Sequence, residues 1–355
     1  MRIEIERTEF MRLLTSNSLV VQSRNTIPIL ATVLLNATFQ GLEIRSTDLN
    51  VEIKNSIALE CEPGAVCVSA KTLTDAVRKV SSETITLELK DSQLILKSGR
   101  SRYKLPTFPA EDFPDIADQQ FDAEFEIDLA ALIAPVAFAV STDSTRFYLN
   151  GVLLHHDEGK IVTVGTDGHR LARNAIAAGE IAPGVLSAGI IVPRETLKLI
   201  PKGRITVAVS ESRIRLTSGS TIITSRLVDG TYPDFKRVIP RNNESVATVD
   251  RDDLVAAVDR VSVVSKQQGS GIKLAFASDE CALSSHGDGD AEDAIAIAFS
   301  GSEIGIGFSS RYLSEMLAAA PEGPVQIALD DGGAPALFTS QADPEWLGVL
   351  MPMRV

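Results

Sequence analysis

Aromatic residues are scarce in this chain of 355 residues: they make up 5%, with one tryptophan and four tyrosines. Three cysteines (Cys61, Cys67 and Cys281) cannot all pair, and none has CxxC spacing. That excludes a disulfide scaffold and points to a reducing, cytoplasmic setting. No run of 18 apolar residues occurs, and the opening "MRIEIERTEF" carries no apolar signal segment, so a soluble, unexported protein without membrane association is expected. Positive charge is in deficit, 34 bases against 47 acids, and the net charge of −13 argues against a protein that coats nucleic acid by charge alone. Four histidines are present, without a P-loop, an HExxH pair or a nucleophile-elbow serine. Neither a metal nor a cofactor is expected.

What the chain does have is repetition. "DSQLILKSG" begins at 91 and "ESRIRLTSG" at 211, 120 residues later. "IEIERTEFMRLL" (3–14), "FEIDLAALI" (125–133) and "ATVDRDDLVAAV" (247–258) share one form: an alternating strand, an acidic or hydroxyl N-cap, then a helix. Their apolar triplets are Phe10, Leu13 and Leu14; Leu129, Leu132 and Ile133; and Leu254, Ala257 and Val258, all at i, i+3, i+4. "GLEIRSTDLNVEI" (41–53) answers "GKIVTVGTDGHRLA" (159–172), with Asp48 and Asp167 standing 119 residues apart. "VCVSAKTLTDAV" (66–77), "IIVPRETLKLI" (190–200) and "IGIGFSSRYLSEML" (304–317) each run from a strand through a polar cap into a helix. The apolar share, 44%, lets each unit bury its own core. The expected fold class is α+β: three repeated sheet-plus-two-helix domains at 1–120, 121–243 and 244–355. The third copy has drifted, and "CALSSHGDGDAEDAIAI" (281–297) reads as a longer, solvated acidic loop. A calcium loop is disfavoured there because the spacing of Asp288, Asp290, Glu292 and Asp293 misses the required pattern.

The densest polar cluster is "TDGHRLA" (166–172), where Asp167, His169 and Arg170 could form an acid–base site for a hydrolase or transferase. The competing reading is a tight turn, with Gly168 at positive φ and side chains on opposite faces. "GIG" at 305–307 lies in a strand pattern, and His155 with His156 beside a hairpin tip point in opposite directions. Triplication builds surfaces and rings readily, whereas catalysis needs one specialised copy, so a binding or structural protein is favoured.

Several longer motifs resemble the bacterial beta sliding clamp family. They are "IPIL" (27–30), "SGRSRYKLPTFPAEDFP" (98–114), "RFYLNGVLL" (146–154), "TDGHRLA", "LVDGTYPDFKRVIP" (227–240) and "MPMRV" (351–355), in order along the whole chain. The resemblance implies a DNA clamp fold and a head-to-tail homodimeric ring around double-stranded DNA. It also implies a non-catalytic processivity subunit of DNA polymerase III, active in DNA replication. The implied partners are the polymerase, the clamp loader and other clamp-binding-motif proteins. A tether of this kind needs a basic lining rather than a basic body, because tight phosphate contacts would obstruct sliding.

Carried over position by position, the resemblance implies a partner-peptide groove of three parts. Leu149, Thr166, Gly168, His169, Arg170 and Leu171 come from the second repeat, and Pro233, Arg237 and Val238 from the linker. Tyr312, Val349, Met351, Pro352, Met353 and Arg354 complete it. His169 and Arg170 would border an apolar floor, and "MPMRV" would dock rather than fray, its methionines adapting to different partners. For DNA the candidates are Arg24, Lys71, Arg78, Lys79, Tyr148, Arg194, Lys198 and Lys202. For the dimer they are Tyr103 and Leu105 against Val263 and Val264, a small pair that leaves little apolar area.

Overall fold

Three times the chain runs from an alternating strand into a helix through an acidic residue: Arg2–Glu6 into Arg7–Asn17, Ala123–Ile127 into Leu129–Ala137, and Ser245–Asp250 into Arg251–Ser262. Two of the three acids cap with their side chains. Asp128 accepts from the Ala131 amide at 3.0 Å, and Asp250 from Asp252 and Asp253 at 2.9 and 3.2 Å. The apolar triplet of each helix is buried. Second helices follow at Ala70–Lys79 and Ser310–Ala319, each capped by the preceding serine, Ser69 or Ser309.

The middle repeat departs from expectation. Its second helix is a single turn, Arg194–Leu197. Pro193 stands where the other copies have the serine cap, and Pro201 biases Ile200 away from helical angles, so the turn cannot propagate.

This computed structural model describes residues 1–21, 26–114, 120–179, 181–182, 184–264 and 271–354. They form two units: Met1–Ile127 with Lys198–Leu227, and Asp128–Leu197 with Val228–Val355. The first holds a 13-stranded sheet, the second a 9-stranded and a 4-stranded sheet. Packing yields two units, where the repeat arithmetic yields three copies, because sheets run on from one copy into the next. Thr221–Arg226 pairs antiparallel with Val51–Ile57, placing Thr224 opposite Glu52. In the second unit Leu347–Leu350 pairs with Arg170–Ala177, placing Val349 opposite Leu171.

The acidic stretch 281–297 is not a loop. It forms a hairpin, Glu280–His286 with Asp290–Ala296, turning through residues 287–289. Asp290 and Glu292 are exposed while Ala291, Asp293 and Ile295 are half-buried, and Asp293 meets Arg260 at 2.6 Å. Alanines and acids in both registers hid the alternation that a β-branched strand would have displayed. Among the described residues no helix is long and apolar enough to cross a membrane.

Candidate partner-binding site

The site is built on a turn between Lys160–Thr166 and Arg170–Ala177. The Thr166 hydroxyl donates to the Arg170 carbonyl at 2.7 Å and accepts from the Gly168 amide at 3.2 Å. One Asp167 oxygen accepts from the His169 and Arg170 amides at 2.9 and 3.0 Å. Gly168 has φ +89°, the left-handed region that favours glycine, with the end of the Arg146 side chain lying 2.7 Å from where a Cβ would stand. The same turn occurs 119 residues earlier. Thr47 donates to Val51 at 2.8 Å and accepts from Leu49 at 3.0 Å, while Asp48 accepts from Asn50 and Val51 at 2.9 and 2.8 Å. Asp48 and Asp167 are therefore equivalent turn-closing acids.

Arg170 lies beneath the turn rather than at a groove border. It is 6% exposed, and its Nε donates to the second Asp167 oxygen at 3.1 Å. One Nη donates to the Phe138 carbonyl at 2.6 Å and the other to the Glu315 carboxylate. Its guanidinium also sits 4.5 Å from the centre of the Tyr312 ring and 5.1 Å from that of Phe138. An arginine in an otherwise apolar strand position requires such partners, and two of them, Phe138 and Glu315, are residues that the sequence reading did not single out. Glu315 stands at the repeat position of Asp75, 240 residues earlier, but Asp75 pairs with Lys71 and Arg78 of its own helix, so the repeat carries no signal for the Glu315–Arg170 pair. The hydrogen bonds of Asp167 thus run to backbone amides and to Arg170, and His169 projects outward with its ring stacked on Tyr312 at 6.1 Å.

Leu171 and Val349, paired across the sheet, are buried in a cluster with Leu153, Val164 and Phe235, with Tyr148 and Tyr232 half-buried against it. Leu149 is buried and Thr166 nearly so. Val238 and Met351, 53% and 43% exposed, carry the apolar surface outward. The linker holds its place through the Tyr232 hydroxyl, which donates to the Val164 carbonyl at 3.2 Å and whose pKa burial pushes up. Lys236 contributes by pairing with Asp157 at 2.7 Å, and its ammonium holds that carboxyl below the usual range. Pro233 and Arg237 are exposed on the same linker, with Arg237 paired to Asp234 at 3.1 Å. The segment after Leu347–Leu350 is pinned at two points: the Met351 amide donates to the His169 carbonyl at 2.9 Å and the Met353 amide to Gly307 at 2.8 Å. Pro352 and Met353 are half-buried and Arg354 is exposed.

The basic candidates are less unified. Lys71 and Arg78 share one acid, Asp75, at 2.7 and 3.2 Å, with exposed Lys79 beside them. Hydrogen bonding to Lys71 holds the Asp75 carboxyl below its usual range. Arg194 meets Glu195 at 3.1 Å, Lys198 and Lys202 are exposed, and half-buried Tyr148 packs edge-on to Phe147. Arg24 lies outside the described residues. Of the dimer candidates, Leu105 is buried in its own unit's core with Tyr103 packed against that core. Val263 is 67% exposed and Val264 half-buried.

Family models for the DNA polymerase III beta subunit match in order: the N-terminal domain over residues 1–117, the central domain over 126–234 and the C-terminal domain over 236–354. The beta sliding clamp of Caulobacter vibrioides is 35% identical over 374 aligned residues, and that of Escherichia coli K12 is 32% identical over 369; both alignments cover each chain fully. Among solved structures, the DNA polymerase III subunit beta of Bartonella birtlesii, bound to griselimycin, superposes with a TM-score of 0.93 at 36% identity over the full length of both chains. The subunit from Pseudomonas aeruginosa gives 0.94 at 31% identity, again over both full lengths. The tripled architecture and the turn that it repeats thus have full-length counterparts, and the chain belongs to the bacterial beta sliding clamps, the beta subunits of DNA polymerase III.

Proposed function

We propose that the protein works in DNA replication as a DNA sliding clamp, encircling duplex DNA and tethering the replicative polymerase and other partners. It does so without a reaction of its own, in the cytoplasm, as three repeats (1–120, 121–243 and 244–355). Partners dock an extended peptide across Val238, Met351 and the His169–Tyr312 stack, above the apolar pair Leu171 and Val349. Lys71, Arg78, Lys79, Arg194, Lys198 and Lys202 supply the basic surface that faces DNA, together with Tyr148 and Arg24.

The observation that carries the ring is a pairing used twice and left open once. Thr221–Arg226 and Leu347–Leu350 each join the strand after a Thr-Asp-type turn in the preceding repeat. By the same rule Ser101–Phe108 of one copy joins Asp290–Ala296 of a second copy. Over residues 101–106 the first strand pairs on one side only, and Asp290–Ala296 is the outer strand of its sheet. Transferring the register sets Lys104 opposite Asp290 and Arg102 opposite Glu292, all four exposed. Two such heterologous contacts close a homodimer, the exposed Val263 adding apolar area at its edge.

The test of function is retention: the protein, placed on DNA by a clamp loader, stays on circular duplex and runs off the same duplex once it is linearised. Equal loss from both forms overturns the tether. For the interface, Arg102→Glu with Lys104→Glu lowers the dimer fraction in sedimentation by about tenfold at low salt, since like charges then face each other. Mixing that variant with Asp290→Lys, Glu292→Lys chains restores association; if it does not, the register is wrong.

A further inference from the structure

Beside the proposed groove, and sharing Pro352, Met353 and Arg354 with it, the second unit contains an open cavity of about 580 Å³ whose other walls no role above uses. Its walls are mostly bare backbone, at Gly305, Gly307 and Gly332, and Met353 closes one side. Gly332 approaches so closely that a Cβ on it would stand 2.5 Å from the Gly305 carbonyl, so the loop lies directly on the strand. Two side chains bring charge, Lys273 and Arg354, and both are exposed cations. Lys273 sits opposite Gly307 in the sheet, the residue whose carbonyl holds the Met353 amide at 2.8 Å. The cavity is thereby continuous with the segment that carries the groove's methionines.

In a chain of net charge −13, most cations described above already have acid partners. Among the described residues neither Lys273 nor Arg354 forms an ion pair. On the neighbouring acidic loop one Asp331 oxygen accepts from the Gly333 amide at 2.7 Å, and Asp331 forms no ion pair with either cation. A guanidinium fork and an ammonium at one mouth suit a carboxylate, the fork accepting it in two-point geometry and the ammonium as a point charge.

We propose that this cavity seats an aspartate or glutamate side chain of the partner peptide, flanking the apolar residues that occupy the groove. The inference rests on the groove reading above. Both cations are solvent-accessible, so the acid contributes modestly and its contribution is screened by salt. It acts as a selector among peptides with equivalent apolar anchors.

The experiment compares synthetic peptides of Gln, Leu and Phe bearing two Asp at one end or the other with counterparts bearing Asn, titrated against the full chain by fluorescence anisotropy. One Asp peptide binds about threefold tighter than its Asn twin at low ionic strength, and the ratio shrinks towards one in 0.5 M salt (roughly a 4 Å Debye length). Lys273→Gln lowers the ratio, Lys273→Glu lowers it further, and Lys273→Gln with Arg354→Gln brings it close to one. Buried Trp346 is the only tryptophan and reports through its fluorescence that the second unit is folded in each variant. An Asp preference that survives Lys273→Glu unchanged, or no Asp preference in the unaltered protein, overturns the carboxylate seat alone. Failure of every peptide to bind the unaltered protein overturns the groove, and the seat with it.

Discussion

The turns at Thr47–Val51 and Thr166–Arg170 share their backbone hydrogen bonds, yet only the second is surrounded by the candidate site. Even the strand arriving from the following repeat behaves alike at first: the Arg226 amide donates to Asn50 at 2.8 Å and the Met351 amide to His169 at 2.9 Å. The two then part. After Arg226 the Leu227 amide turns back to the Ser212 carbonyl at 2.9 Å, whereas after Met351 the chain continues to Gly307 and leaves methionine side chains beside the turn. Where the first turn ends in buried Val51, the second ends in Arg170, tied to Asp167, Glu315 and Phe138. A shared backbone device can therefore be neutral scaffolding in one repeat and the mount of a binding surface in another. The difference lies in what the neighbouring strand does next.

If Arg170 is the fastener of that mount, removing it has the largest effect of any single change at either turn. Arg170→Met leaves the mostly buried Asp167 carboxylate without its cation, at a cost of about 3 kcal/mol by the usual penalty for breaking one side of a buried pair. Urea unfolding followed by Trp346 fluorescence reads this directly. Arg170→Lys recovers little, since an ammonium cannot reach Asp167, Glu315 and the Phe138 carbonyl in one plane. A loss below about 0.5 kcal/mol, within the range of ordinary surface substitutions, would mean the network is ornamental.

Truncation after Leu350 sharpens the other half of the contrast. It removes the Met351 and Met353 anchors while leaving Val349 and the sheet in place. Peptide affinity then falls by about 2 kcal/mol or more, the usual loss for an interface anchor. Dimerisation and retention on circular DNA persist. Peptides that bind the truncated chain as tightly as the full one would show that the surface lies elsewhere.

Much of this was legible in the sequence. The three strand-to-helix junctions followed from alternation, an acidic cap and the i, i+3, i+4 triplets, signals local to about a dozen residues. The equivalence of Asp48 and Asp167 followed from the repeat alone, and their matching hydrogen bonds bear it out. Three things were not legible. The short helix at Arg194–Leu197 has amphipathic spacing beyond Leu197, but Pro201 overrides it. The Asp290–Ala296 strand gains its regularity from pairing with Glu280–His286, a tertiary effect that its own acids and alanines conceal. The resemblance implies Arg170 at the groove border, and its burial beneath the turn depends on Glu315, 145 residues away in sequence and outside any local pattern.

The smallest effect separates the two acids themselves. Asp48→Asn keeps an amide oxygen that can accept from the Asn50 and Val51 amides, and among the described residues no cation pairs with that carboxylate. Its cost is expected within about 0.5 kcal/mol, as for other substitutions that preserve a turn-closing acceptor. Asp167→Asn keeps the same backbone acceptor but turns an NH2 group, or at best a neutral oxygen, towards the Arg170 Nε now held at 3.1 Å. The pair then survives only through Glu315, and a loss of about 1–2 kcal/mol is expected from the weakened charge-assisted bond. Paired urea titrations of the two variants settle the matter if each is read in its own unit, by Trp346 fluorescence for the second and by amide exchange for the first. Equal losses would mean that Asp167 does no more than close its turn, and that Arg170 depends on Glu315 and the Phe138 carbonyl instead.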